Sequence, residues 1–208
     1  MCSLKKTVVL KIDPTSPDKE VIRRAAGTIR QGGLVAFPTE TVYGIAVNLL
    51  DRKAVNKLYK VKNRPKSKPF TVHIAKIRTV RDMGCRITKE AKRLIDRFWP
   101  GPLTIILKSR SGKRIGFRMP ANKAALSLIR QAEVPVAAPS ANMSDGIPAK
   151  NARQVLRDLD GKIDILLDGG RTKVGVESTI VDLTTESCKI LREGAIKRDA
   201  IKKAAWIR

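Results

Sequence analysis

Leu103-Thr104-Ile105-Ile106-Leu107-Lys108-Ser109-Arg110-Ser111-Gly112-Lys113-Arg114-Ile115-Gly116-Phe117-Arg118-Met119 contains two apolar stretches joined by a short polar loop with Ser111-Gly112. A loop that short fits an antiparallel pair of strands, because a parallel connection needs a crossover of a dozen residues or more. Elsewhere in the chain, strand-like and helix-like segments alternate. The expected fold is therefore α/β, with a mixed sheet and helices on its faces rather than a purely parallel sheet.

Before this pair, Thr7–Ile12 reads as an opening strand. Ser16 is expected to cap a helix with Pro17 at its first position and Asp18 and Glu20 in its first turn. Val21, Ile22, Ala25, Ala26 and Ile29 give that helix its apolar stripe, and Gly32-Gly33 ends it. Leu34–Phe37 is a short strand running into Pro38-Thr39-Glu40-Thr41. Asp51 caps the next helix, with Ala54, Val55, Leu58 and Tyr59 on one face, and Phe70–Ile74 is a strand. Thr88 precedes a helix through Ala91, Leu94, Ile95 and Phe98, stopped at Trp99-Pro100. After the pair come a helix near Lys123–Gln131, a strand Val134–Ala138 and a helix Ala152–Leu159. Strands Ile163–Leu167, Ser178–Leu183 and Lys189–Arg192 and a helix near Ile196–Ala205 complete the pattern. No repeat or linker interrupts it, so residues 1–208 read as a single domain.

Charge is the one extreme quantity. Forty-three Lys and Arg against nineteen Asp and Glu leave a net charge of +24, spread along the chain. Such a surface attracts polyanions, so nucleic acid or a phosphate-rich ligand is the natural partner. No apolar run approaches a bilayer span, and no signal h-region opens the chain, so a cytoplasmic protein is expected. Cys2, Cys85 and Cys188 are widely spaced and odd in number, which suits inert thiols in a reducing compartment.

Several catalytic devices are missing. There is no G-x-x-x-x-G-K-[ST] phosphate loop, no G-x-G-x-x-G and no G-x-S-x-G elbow. With His73 as the sole histidine, a multi-histidine metal site is excluded. What remains is hydroxyls and cations at strand ends and loops. Lys60, Lys62, Arg64, Lys66 and Lys68 crowd around Pro65; they suit either a triphosphate clamp or an exposed basic loop. Thr39 and Thr41 follow a strand end, as do Ser140 and Asn142, where short polar groups contact ligands or merely shape a turn. Arg118 interrupts an apolar strand and needs an anionic partner, either a substrate carboxylate or a structural ion pair. His73 suits a packing role, or orients a substrate as a neutral imidazole.

Taken together, these segments resemble the YrdC-type threonylcarbamoyl-adenylate synthase family. The matching stretches are Gly32 through Gly44, Lys62-Asn63-Arg64-Pro65, Val72-His73-Ile74 and Phe98 through Thr104. They continue with Phe117-Arg118-Met119-Pro120, Ala138-Pro139-Ser140-Ala141-Asn142, Gly175 through Asp182 and Ile190-Leu191-Arg192, in family order from about residue 20 to 195. The resemblance implies a twisted mixed sheet with flanking helices around a basic concave cavity. It implies formation of L-threonylcarbamoyl-adenylate and pyrophosphate from L-threonine, bicarbonate and ATP, with Mg2+ on the ATP phosphates. The product would go to a tRNA threonylcarbamoyl-transferase, which modifies the adenosine beside the anticodon.

By the same resemblance, Lys62, Arg64, Ser140 and Asn142 are the catalytic set, and Arg64, Lys68, Ser140, Asn142 and Arg192 bind ATP. Thr39, Thr41, His73, Arg118 and Ser178 bind threonine, with Arg118 on its carboxylate. No side chain stands out as a general base. Two departures matter: a long C-terminal extension found in some relatives is not expected here, and Ser144-Asp145-Gly146-Ile147-Pro148-Ala149 carries one residue more than the usual S-G-x-P-S pattern. The alternative of another class is a non-catalytic protein on the same scaffold that binds tRNA or double-stranded RNA through phosphates and shape. A carbamoyl-transfer relative used in hydrogenase maturation needs further regions that 208 residues do not hold.

Overall fold

The computed structural model describes residues 6–185 and 187–205. Seventeen elements follow in chain order, ten strands and seven helices: β1 Val8–Lys11, α1 Lys19–Arg30, β2 Val35–Phe37, β3 Gly44–Asn48, α2 Arg52–Val61, β4 Val72–His73, α3 Arg78–Asp82, α4 Lys89–Phe98 and β5 Leu103–Lys108. Then come β6 Arg114–Arg118, α5 Lys123–Ala132, β7 Val136–Ala137, α6 Ala152–Leu159, β8 Ile165–Asp168, β9 Thr179–Asp182, β10 Lys189–Arg192 and α7 Arg198–Ala205. The strands form one ten-stranded sheet in the order β1-β8-β2-β3-β7-β4-β6-β5-β9-β10.

The sheet is mixed, as expected. β5 and β6 pair antiparallel, with Ile105 opposite Phe117 and Leu107 opposite Ile115. Parallel pairings join β1 and β2 to β8, β4 to β6, and β5 to β9. α1 begins two residues later than Ser16 would place it: Asp18 is the N-cap, its carboxylate accepting from Glu20 N at 2.8 Å and Val21 N at 2.9 Å. Its carboxylate reaches both donors and is also favoured electrostatically at a helix N-terminus. The last helix starts at Arg198 rather than Ile196, because the Thr179 hydroxyl ties down Ile196 N at 3.0 Å.

Two elements escaped the sequence. β3 is buried at every position, so its side chains carry no polar alternation. α3 is five residues long with only Val80 buried, too short for an apolar stripe. The strands at Phe70–Ile74 and Val134–Ala138 shrink to Val72–His73 and Val136–Ala137. Cys85 and Cys188 carry free thiols, while Cys2 lies outside the described residues.

The core has three parts. α1 and α5 cover one face of the β8-β2-β3-β7 half through Ile22, Ala26, Ile29, Ala125 and Leu128 against Val35, Phe37 and Leu167. α2 and α6 cover its opposite face through Leu58 and Val155 against Leu34, Ala36 and Ile45. α4 and α7 cover only one face of the β4-β6-β5-β9 half, through Leu94, Ile95 and Ile201 against Leu103, Ile105, Phe117 and Val181. Among the described residues, no helix is long and apolar enough to cross a membrane.

Candidate active site

Side chains alternate across a strand, so each strand of the one-sided half sends every second residue away from α4 and α7. Among those residues, His73 on β4, Thr104 on β5, Arg118 on β6 and Ile180 on β9 line one cleft. The enclosed part of the cleft has a volume of about 110 Å³. Loops complete the wall with Thr39, Tyr43, Arg64, Phe70, Ser140, Glu177 and Ser178, and the end of β10 adds Arg192. Three guanidinium groups, Arg64, Arg118 and Arg192, thus share one concavity with a single carboxylate, Glu177.

The loop after β2 supplies the threonine hydroxyls. Thr39 Oγ1 donates to Val42 O at 2.6 Å and lies 2.9 Å from Thr41 Oγ1. The Arg118 guanidinium donates through Nη2 to Thr41 Oγ1 at 2.7 Å and pairs with Glu40 Oε1 at 3.0 Å. A buried cation needs such partners. Arg118 Nε remains buried without a hydrogen-bond partner. Gly44 lets the next strand close the wall: a Cβ there would meet the Phe37 ring at 3.3 Å and Pro139 O at 3.4 Å.

His73 lies beside Arg118 in the parallel β4–β6 register and meets Phe37 edge-on, with ring centroids 6.2 Å apart. Burial, reinforced by the Arg118 charge, pushes its imidazole down to about 3, so it is neutral at physiological pH. Its Nδ1 has no hydrogen-bond partner.

The K-x-R and S-x-N segments meet, but not through the Lys62 ammonium facing the cleft. Lys62 closes the end of α2, is only 1 % exposed, and donates through Nζ to Ser140 O at 2.6 Å and to Asn142 O. Burial, with help from the Arg64 charge, pushes its ammonium down to about 8. Asn142 turns inward too, its Nδ2 donating to Met143 O at 2.8 Å and Gly146 O at 2.7 Å. Lys62 and Asn142 therefore shape the loop from behind, and Ser140 is its member on the cleft wall.

Arg64 lies 5.5 Å above the Phe70 ring, which stacks on Tyr59 at 4.2 Å, and its Nε donates to Lys68 O at 2.9 Å. Lys68 is exposed and pairs with Asp145 at 3.4 Å. Across the cleft, Arg192 donates through Nη2 to Ser178 O at 2.9 Å and pairs through Nη1 with Glu177 at 2.9 Å. Ser178 Oγ lies 2.9 Å from Thr104 Oγ1.

Sequence reading missed Glu40, Thr104 and Glu177. Thr104 carried a usable signal, since it alternates with Leu103 and Ile105. Glu40 and Glu177 sit in irregular segments where no periodicity marks the facing direction. Among the described residues, no group of three or more His, Cys, Asp or Glu side chains gathers to hold a metal ion.

Fold and site together define an α/β protein whose sheet is covered on both faces at one side and left bare at the other, where a cationic cleft forms. The Sua5/YciO/YrdC family model, described as "Telomere recombination", matches residues 27–194, and the chain belongs to that family. Among curated relatives, "Threonylcarbamoyl-AMP synthase" of Pyrococcus abyssi is 46% identical over 191 residues, covering 88% of this chain and 56% of that protein. The Bacillus subtilis protein of the same name is 40% identical, covering 91% of this chain and 58% of its own length. The crystal structure of P. abyssi Sua5 complexed with L-threonine superposes with a TM-score of 0.91 at 41% identity, covering 95% of this chain and 61% of that one. The chain thus spans little more than half the length of these relatives.

Proposed function

We propose that this chain forms L-threonylcarbamoyl-adenylate. The observation that carries the reading is the cleft itself. Arg64, Ser140 and Arg192, assigned to ATP by resemblance, share its wall with Thr39, His73, Arg118 and Ser178, assigned to threonine. Its relative in P. abyssi was crystallised with L-threonine, which supports the amino-acid half of the assignment.

The chemistry needs what this wall offers. The threonine ammonium gives up a proton, and the free amine adds to bicarbonate with loss of water, giving a carbamate. A carbamate oxygen then attacks the α-phosphorus of ATP, the bond from that phosphorus to the α,β-bridging oxygen breaks, and pyrophosphate leaves with that oxygen. Charge builds on phosphoryl oxygens, so positioned cations matter more than a covalent nucleophile. Arg64, on the loop after α2, and Arg192, at the end of β10, both line the cleft to meet that charge. Arg118, with a buried unpartnered Nε, is the receiver for the threonine carboxylate. Neutral His73 orients the substrate without adding a repelling charge. Lys62 and Asn142 act by fixing the Ser140 loop, and Lys68 stands at the periphery.

Mg2+ is proposed to arrive on the ATP phosphates, which would supply its oxygen ligands together with water, while Arg64 and Arg192 on the cleft wall meet the remaining charge. When bound, the ion neutralises phosphate charge. The product is then proposed to pass to a tRNA threonylcarbamoyl-transferase, and the +24 surface supports direct contact with tRNA.

Pyrophosphate release from MgATP and bicarbonate, with L-threonine present or omitted, tests the reading. Threonine-dependent release with an adenylate product by mass spectrometry is expected. No release from folded protein at any threonine concentration would overturn it.

A further inference from the structure

The cleft's deepest cation has a counter-charge that faces away from the nucleotide-binding loops. Glu40 and Arg118 are 7 % and 5 % exposed, and their charged groups lie 3.0 Å apart. Among the described residues neither Glu40 oxygen has a hydrogen-bond partner, and the acid's ion pair is with Arg118. A carboxylate in that state is held in place for electrostatic reasons, since a buried unpaired charge of either sign is strongly unfavourable.

The backbone around Glu40 is fixed as well. Val174 N donates to Glu40 O at 2.8 Å and Gly175 N donates to Thr41 O at 2.9 Å, so the loop that leads to Glu177 and Ser178 clasps this segment. Glu40 itself does not line the cleft; it lines a neighbouring hollow with Pro38, Asn122 and Thr172, on the far side of Thr39. Arg118 does line the cleft, and its Nη2 is shared between Glu40 and Thr41. The acid therefore grips the guanidinium from behind and leaves Nε as the unsatisfied donor in the wall.

We propose that Glu40 is the positioning residue for Arg118, and that through this grip it sets the affinity of the cleft for the carboxylate of its amino-acid substrate. The inference rests on the reading that Arg118 receives that carboxylate. The Glu40 side chain lines the neighbouring hollow and not the cleft, so its effect is expected to fall mainly on the amino acid. With the acid's charge removed, the guanidinium keeps the Thr41 Oγ1 acceptor but loses its second anchor, so it can turn about that one contact and the binding geometry is lost.

Calorimetric binding of L-threonine to the whole chain, with steady-state constants for threonine and ATP, tests this. Glu40→Gln keeps shape and removes charge. It is expected to weaken L-threonine binding at least about tenfold, equivalent to 1.4 kcal/mol, and to raise the KM for threonine alike while the KM for ATP stays within about twofold. Glu40→Asp, which keeps the charge on a shorter stem, should fall between the two, and it carries the test alone if Glu40→Gln does not fold. Wild-type affinity in a folded Glu40→Gln protein, or equal loss for both substrates, overturns the positioning role and leaves the proposed function standing. A wild-type chain that binds no L-threonine removes the proposed function, and this inference with it.

Discussion

The two halves of the sheet solve different problems with the same alternation. In the β8-β2-β3-β7 half, both sets of side chains are mainly apolar and each meets a pair of helices, so the strands are buried on both faces except at ends such as Asp168. In the β4-β6-β5-β9 half, one set packs on α4 and α7, and the other set presents His73, Thr104 and Arg118 to a cleft. Leaving out one layer of helices creates the site, and the doubly covered half provides the rigidity that holds it. Polar residues on a bare strand face are held more firmly than residues on loops.

Breaking the covered half should produce the largest effect. Phe37 is fully buried among side chains of the α1–α5 layer, and its ring also backs Gly44 and His73. Phe37→Ala is expected to cost about 3–5 kcal/mol of unfolding free energy in urea titration. A loss under about 1 kcal/mol would mean the two-faced half does not carry the stability assigned to it.

On the bare face and its loops, the cost should fall on turnover instead. Arg64 is half-buried and held by Lys68 O, Pro69 O and the Phe70 ring, so its removal leaves no core cavity. Arg64→Ala is expected to lose about 2–4 kcal/mol of transition-state stabilisation, read from kcat/KM for ATP, with a melting temperature close to that of the wild type. Unchanged turnover would take Arg64 out of the site.

This asymmetry also explains what was legible beforehand. Helix stripes and the β5–β6 pair were readable because they alternate or repeat against solvent, as Ala91, Leu94 and Ile95 do. β3 was hidden because burial on both faces erases the alternation that marks a strand. The Arg64, Arg118, Ser140 and Arg192 positions stood out through motif resemblance, and the structure gathers them on one wall. The side-chain direction of Lys62 could not be read at all. A lysine beside an arginine in a basic loop looks like a second phosphate ligand, and only the approach of the Ser140 and Asn142 carbonyls turns it inward. Glu40 carries no readable role in the sequence, because its partner Arg118 lies 78 residues further along, on a strand that only folding brings beside it.

His73 sharpens the comparison at the boundary, touching Phe37 of the covered half and Arg118 of the cleft. Its imidazole is held at about 3 in the folded chain, against an ordinary 6.5 when unfolded. Between those values the unfolded chain binds a proton that the folded chain refuses. Stability is therefore complete above about pH 6.5 and drains away as the pH falls toward 3. Linkage puts the loss between pH 7 and pH 5 at about 2 kcal/mol. Because His73 is the only histidine in the chain, this window is free of interference from another imidazole. Urea melts at pH 7 and pH 5 should show that loss in the wild type and a much smaller one in His73→Gln, which cannot titrate. Equal losses in the two proteins would mean that the imidazole accepts its proton inside the fold. The boundary between the halves would then be wetter than the packing of Phe37 against His73 implies.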